Sequence, residues 1–291
     1  MGIYEEFKDR VGTIAAGRVS RFENGVIIVA LPLAIEGIMP RSEQIAGQTH
    51  EVGERIRCLI LEVRDKPAGV KIILSRSHPD FVKRLFEGEV PELGEGAIEI
   101  KALAREPGNR TKIAVSSSDS KVDSVGACVG ADQRRIKNIV DELGGEKIDI
   151  IRWHQFGQNF IANALKPAEV KEVALCFVLG RATVVVDGSQ LSLAVGERGQ
   201  NVRLAARLTG WDVDILTPPE FQAGVQRLAQ TLSSIPAITQ QMVDKVLALG
   251  LFDVRDMEEV GAGFLIEQLG LDEATAQKVV DRCSGQSKGD L

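Results

Sequence analysis

Two glycine-marked stretches carry the chemistry of this chain. One is Gly196-Glu197-Arg198-Gly199, followed by Gln200, Asn201 and Arg203; the other is Gly130-Ala131-Asp132-Gln133, followed by Arg134, Arg135 and Lys137. A Gly-x-x-Gly turn between two helices lets a backbone approach a sugar–phosphate chain. The unpaired N–H groups at the start of the second helix then sit at the positive end of its dipole. Arg198 adds a cation, Gln200 and Asn201 add polar groups in the first turn, and Arg203 follows one turn later. Val202, Leu204 and Leu208 supply apolar surface for packing or for base contacts. The first stretch lacks the second glycine. Asp132 places a negative charge where a phosphate would lie, and Gln133 lacks glycine's ease at positive φ. Arg134, Arg135 and Lys137 restore phosphate contact from the helix flank, or form a solvated face. Asp132 is also suited to capping its own helix. The expectation is a weakened first loop and a main grip at the second.

The elements around the loops recur. Residues 79–155 read helix, strand, strand, helix, glycine loop, helix, strand, and residues 157–216 repeat that order. Gly130 aligns with Gly196, Ile136 with Val202 and Ile139 with Ala205, the mark of a duplicated unit. In the second copy "QNFIANAL" reads as a helix that "PAEVKEV" extends. The Asp141-Glu142 pair reads as solvated helix surface.

Before them, residues 11–76 hold five short β-rich runs in about 65 residues, with Glu23-Asn24-Gly25 as a hairpin turn. Such spacing predicts a small closed barrel. Strict alternation puts Arg18, Ser20 and Phe22 on one face, with Val19 and Arg21 on the other. An aromatic ring among arginines offers a stacking plane and cations for single-stranded nucleic acid. The alternative is Phe22 in the core with solvated arginines. After Pro218-Pro219 the chain is helical, with Gly250 and Gly270 as stops, and residues 285–291 read as a disordered tail.

Charge follows this division. From Glu220 onward six Lys/Arg face eleven Asp/Glu, so most of the net −6 belongs to the C-terminal helices. The remainder is nearly balanced and can carry a basic face. The four cysteines and three histidines are scattered, which argues against disulfides and a metal centre. The most apolar run, "GVIIVALPLAI", is too short to span a bilayer, and no secretory signal opens the chain, so a cytoplasmic location is expected. There is no P-loop and no nucleophile–base arrangement. An enzyme is not expected, and neither catalytic residues nor cofactors are assigned.

The layout resembles KH domains of the bacterial type II, which clamp about four nucleotides over a GXXG loop, preceded by an S1 domain of the OB class. The wording "YEEFKDRVG", "GACVG", "ELGGEKIDI" and "VGERGQNVRLAARLTGW" resembles the NusA family of transcription elongation and termination factors. The resemblance implies a multidomain chain. A leading helix end (1–10) precedes an all-β S1/OB barrel (11–76). KH domains of α/β class follow at 77–155 and 156–217, then an all-α, acidic, helix-hairpin-helix-like domain at 218–284. It implies a monomer that binds single-stranded RNA through Gly196, Glu197, Arg198, Gly199, Gln200, Asn201 and Arg203, with Gly130, Arg134, Arg135, Lys137, Arg18 and Phe22 assisting. The implied protein partners are RNA polymerase and other Nus-class factors, with residues 218–284 meeting the C-terminal domain of the polymerase α subunit. The family's N-terminal polymerase-docking domain has no counterpart before the S1 region, as in an expressed fragment or a truncated paralogue. In "LGLDEA", Asp272 and Glu273 follow Gly270 where a DNA-binding hairpin needs a second glycine, so a protein partner is expected there rather than DNA. S1 and KH domains also occur beside ribonuclease cores, but no such core is present here. A protein-interaction scaffold with secondary RNA binding is the competing expectation.

Overall fold

The computed structural model describes residues 2–287. It divides into two compact units after Trp153.

The first unit opens with helix α1 (Ile3–Lys8), whose Phe7 plugs the barrel core. Strands β1 (Ile14–Glu23), β2 (Val26–Leu31), β3 (Ile35–Met39), β4 (Arg55–Arg64) and β5 (Lys71–Ser75) close in the order β1-β2-β3-β5-β4, with β3 and β5 parallel. Val19, Ile27, Val29, Met39, Ile60, Ile72 and Leu74 fill the barrel. Asn24 (φ 51°) and Gly25 (φ 81°) make the tight turn that the sequence marks.

The α/β unit that follows has α2 (Pro79–Glu89), α3 (Pro91–Gly94), β6 (Ile98–Glu106), β7 (Arg110–Ser117), α4 (Ser124–Val129), α5 (Arg134–Glu142) and β8 (Lys147–Arg152). Pro79 begins α2, and the His78 side chain accepts a hydrogen bond from the Asp80 N–H. The sheet order is β6-β7-β8, antiparallel then parallel. Phe81, Leu85, Phe86, Ile113, Val115, Ile139 and Leu143 form the core beneath it.

The barrel and this α/β unit are bolted together. Arg76, 4% exposed, donates to Arg57 O (2.7 Å), Glu142 Oε1 (2.9 Å) and Glu142 O (2.8 Å), and Gln48 Nε2 donates to Leu143 O (2.8 Å). Glu142 is therefore no solvated helix acid, as its place beside Asp141 implies. It is the post on which α5 meets the barrel. Behind it, Arg105 and Glu146 pair through two hydrogen bonds (2.9 and 3.0 Å) with both side chains fully buried. Thr111 Oγ1 and the Gly108 N–H also donate to Glu146, so the buried carboxylate is satisfied.

The second unit repeats the α/β order with α6 (Gly157–Ala164), β9 (Glu172–Cys176), β10 (Arg181–Val185), α7 (Leu191–Val195), α8 (Gln200–Thr209) and β11 (Asp212–Leu216). The sheet again runs antiparallel then parallel, here β9-β10-β11. The predicted extension of α6 through "PAEVKEV" does not form. Pro167 cannot continue a helix and restricts Lys166 before it, and Glu172–Cys176 is strand instead.

Helices α9 (Pro218–Ser233), α10 (Gln240–Ala248), α11 (Val254–Leu269, broken at Gly261) and α12 (Glu273–Ser287) complete this unit. Their core includes Leu228, Leu232, Val243, Met257, Leu265 and Val279, and it takes in Cys176 from β9. Gly250 sits so close to β9 that a Cβ there would lie 2.6 Å from Leu175 O. Arg181 of β10 donates to Asp256 (2.8 Å) and Glu259 (2.7 Å) of α11. The C-terminal helices are thus packed onto the second sheet rather than tethered to it. The expected tail at 285–291 is helical as far as Ser287, and the rest of that stretch lies outside the described residues.

Candidate nucleic-acid interface

Both glycine loops have the same backbone. Gly130 (φ 77°, ψ 167°) matches Gly196 (φ 76°, ψ 170°), and Asp132 (φ 52°, ψ 28°) matches Arg198 (φ 52°, ψ 29°). Gln133 (φ 58°, ψ 20°) adopts the left-handed conformation that Gly199 (φ 72°, ψ 16°) adopts. Gln133 therefore does what its residue type disfavours, at a cost of about 1–2 kcal/mol that glycine avoids. Each loop is a single tight turn joining a short helix to a longer one, α4 to α5 and α7 to α8.

What differs is charge. Glu197, Arg198 and Arg203 are exposed around the second loop, and Arg203 Nη1 donates to Arg198 O (3.0 Å), tying the loop to its helix. Around the first, Asp132, Arg134 and Lys137 are exposed. Asp132 makes no capping hydrogen bond at the start of α5, so its carboxylate is not engaged as the helix cap.

Two residues expected to face a ligand do not. Asn201 is 1% exposed and donates to Leu165 O, Leu193 O and Ala194 O at 3.0–3.2 Å. Arg135 is half-buried, donating to Ala127 O (2.7 Å) and Glu92 (2.9 Å). Polar groups in a helix's first turn read as ligand contacts in a sequence, because a side chain that folds back has the same residue type as one that reaches out. Gln200 is partly buried in that same turn.

On the barrel, the register between β1 and β2 shifts between Val19 and Arg21. Ser20 is the extra residue of a β-bulge. Arg21 consequently pairs with Ile28 and Phe22 with Ile27, which overturns the strict alternation expected for Arg18, Ser20 and Phe22. Phe22 is nevertheless 47% exposed, so it is not core. Arg21 is held by Glu36 and Glu23, and the Glu36 carboxyl lies below its usual range because Arg21 donates to it. Arg18 is exposed and gives Nη1 to Gly53 O (2.8 Å).

The helix N-termini of the C-terminal hairpins are occupied. The Asp253 side chain accepts from the Arg255 N–H, Asp256 accepts from the Phe252 and Asp253 N–H groups, and Asp272 accepts from the Thr275 N–H. Those donors are no longer available to a phosphate.

A closed five-stranded barrel and two α/β units, each presenting a glycine loop at a helix N-terminus, define the S1–KH–KH class of protein. Residues 8–77 match the S1 RNA binding domain, residues 76–153 the NusA-like first KH domain and residues 157–223 the NusA-like second KH domain. The chain belongs to the NusA family. It is 47% identical over 213 residues to the transcription termination/antitermination protein NusA of Bacillus subtilis, covering 73% of this chain and 57% of that protein. It is 46% identical over 220 residues to the protein of the same name from Mycobacterium tuberculosis, covering 73% and 63%. The NusA of Thermus thermophilus is 44% identical over 212 residues, covering 72% and 54%. The chain thus spans somewhat over half the length of these relatives.

Proposed function

We propose that this protein is a non-catalytic RNA-binding factor of the cytoplasmic transcription machinery. It holds single-stranded nascent RNA through its S1 and KH domains and so modulates pausing, termination and antitermination. The observation that carries the reading is the second KH loop: an exposed Arg198 at the apex of a glycine turn that opens helix α8. The Arg198 cation and the positive end of the α8 dipole lie together there, which suits a phosphate. Gly196, Glu197, Arg198, Gly199, Gln200 and Arg203 form the main grip. Gly130, Arg134 and Lys137 provide a weaker one, and Arg18 and Phe22 a contact on the barrel. The working boundaries are 11–76 for S1, 77–155 and 156–217 for the KH domains, and 218–284 for the acidic helices.

The acidic helices point to a second role. With both hairpin N-termini capped by aspartates, residues 218–284 are suited to a protein partner rather than to DNA. RNA polymerase, at the C-terminal domain of its α subunit, and other Nus-class factors are the partners proposed for this face. The deciding measurement is titration of a labelled single-stranded RNA at several salt concentrations. A Kd that weakens as salt rises, and a large loss on Gly199→Asp, support the reading. Binding to RNA polymerase with no RNA affinity at physiological salt would sink it in favour of a protein scaffold.

A further inference from the structure

The residue five positions after the first glycine of each KH loop turns back beneath that loop. In the second KH domain it is Asn201, whose Nδ2 donates to Leu193 O (3.2 Å) and Ala194 O (3.0 Å) in the last turn of α7. The same group donates to Leu165 O (3.0 Å) at the end of α6. In the first KH domain it is Arg135, whose Nη1 donates to Ala127 O (2.7 Å) in the last turn of α4 and to Glu92 Oε2 (2.9 Å) of α3. Ala127 and Leu193 occupy equivalent positions in the duplication. A short amide and a long guanidinium therefore reach equivalent carbonyls from equivalent places. The first loop glycine is pressed against this side chain in both copies. A Cβ added at Gly196 would lie 2.8 Å from Asn201 Cβ, and one at Gly130 would lie 2.6 Å from Arg135 Cγ. By contrast, a Cβ at Gly199 would meet nothing closer than Arg203 Nη1 at 3.9 Å.

We propose that Arg135 and Asn201 are positioning residues for RNA binding: each ties the start of the second loop helix to the last turn of the first, and so aims the loop N–H groups without touching the ligand. The inference rests on the RNA-binding reading of the loops. Two chemically unlike side chains reach equivalent carbonyls, Ala127 O and Leu193 O, which is what a positional constraint requires and a phosphate contact does not. A neutral, buried amide cannot serve as the cation that an arginine in that position would otherwise be taken for. The brace also explains the loops' shared dihedral angles: the backbone is fixed from below, so residue type at the apex is free to differ.

The test compares Arg135→Leu, Arg135→Asn and Asn201→Leu in the whole chain by two readouts. One is amide hydrogen exchange of residues 130–134 and 196–199 without RNA. The other is the slope of log affinity for a single-stranded oligoribonucleotide against log salt. Arg135→Leu is expected to speed exchange in its own loop, while Arg135→Asn, which installs the other domain's solution, keeps it slow. Asn201→Leu is expected to speed exchange at 196–199 and to weaken RNA binding by about tenfold, with the salt slope unchanged. The proposal is overturned if Arg135→Asn and Arg135→Leu leave exchange unmoved and both lower the slope by about 0.7, the signature of one lost phosphate contact. Should Asn201→Leu fail to fold, the half-exposed Arg135 pair decides the matter. If the unaltered protein binds no RNA, the functional reading falls, and the exchange comparison still decides whether these side chains anchor the loops.

Discussion

The matched backbones of the two KH loops make Asp132→Arg a substitution of charge with little change of shape. Asp132 (φ 52°, ψ 28°) already holds the conformation in which Arg198 (φ 52°, ψ 29°) sits, so an arginine at 132 needs no new backbone geometry. An aspartate about 4 Å from a phosphate repels it by about 1 kcal/mol in water, and an arginine there attracts it by a similar amount. The swing is about 2 kcal/mol, or roughly 30-fold in Kd at about 1.4 kcal/mol per tenfold. The converted loop engages one more phosphate, so the salt slope steepens by about 0.7. The mirror change, Arg198→Asp, moves both quantities in the opposite direction. Fluorescence anisotropy of a labelled single-stranded RNA, titrated between roughly 50 and 200 mM salt, reads both. Arg134 and Lys137 are exposed on the same flank in either variant, so they do not contribute to the difference. If Asp132→Arg left Kd and slope where they were while Arg198→Asp abolished binding, the first loop would not face RNA at all. The argument from matched geometry would then be refuted.

The remaining expectations are more local. Gly196→Ala should destabilise the second KH domain, because its Cβ would fall 2.8 Å from the Asn201 backbone nitrogen at φ 76°; Gly199→Ala should cost only about 1–2 kcal/mol of left-handed strain. Equal effects on the thermal midpoint would contradict this. Phe22→Ala should leave stability within about 0.5 kcal/mol, since the ring is exposed, and should weaken RNA binding by about 1–3 kcal/mol if a base stacks on it; unchanged affinity removes Phe22 from the interface. Hydrogen bonds from the Thr217 N–H to Glu220, and from the Thr275 hydroxyl to Asp272, hold these carboxyls below their usual range. Their contribution to helices α9 and α12 is therefore full above about pH 4–5 and is lost as pH falls through the lowered folded values. Protection of the first-turn amides, relative to their intrinsic exchange rates, should accordingly fall only in acid, and fraying already present at neutral pH would contradict the assignment.

How much of this is legible in the sequence depends on what kind of signal each residue leaves. The barrel and both α/β units are readable because short alternating runs, glycine turns and a duplicated element order are local patterns. The bulge at Ser20 is not, since an extra residue in one strand shows only when the partner register is known. Glu142 looks like solvent-facing helix because nothing in the sequence near it names Arg76, 66 positions away, as its partner. Arg135 and Asn201 read as ligand contacts because they are polar and stand in the first turn. Their burial comes from carbonyls contributed by the preceding helix, which the linear pattern does not show. Intrinsic preference disfavours Gln133 at a glycine position, and tertiary context overrides that preference.

That override bears on how the two loops diverged. If apex chemistry alone set loop shape, replacing Arg-Gly by Asp-Gln would have changed the turn, and the duplication would be visible in the flanks but not at the clamp. Instead the dihedrals agree to within a few degrees at the first glycine and the apex, and Gln133 bears the strain. Shape is carried by one pair of positions, Gly130 with Arg135 and Gly196 with Asn201, and charge by another, Asp132 and Arg198. Because the pairs do not overlap, either can vary without the other. A KH domain can then keep the turn that aims its N–H groups while its electrostatics is weakened or strengthened by a single residue. The far end of α5, pinned through Glu142 to Arg76 of the barrel, fixes the first loop relative to S1 regardless of that residue. A first KH domain with an acidic apex thus stays anchored to the S1 barrel whatever charge residue 132 carries.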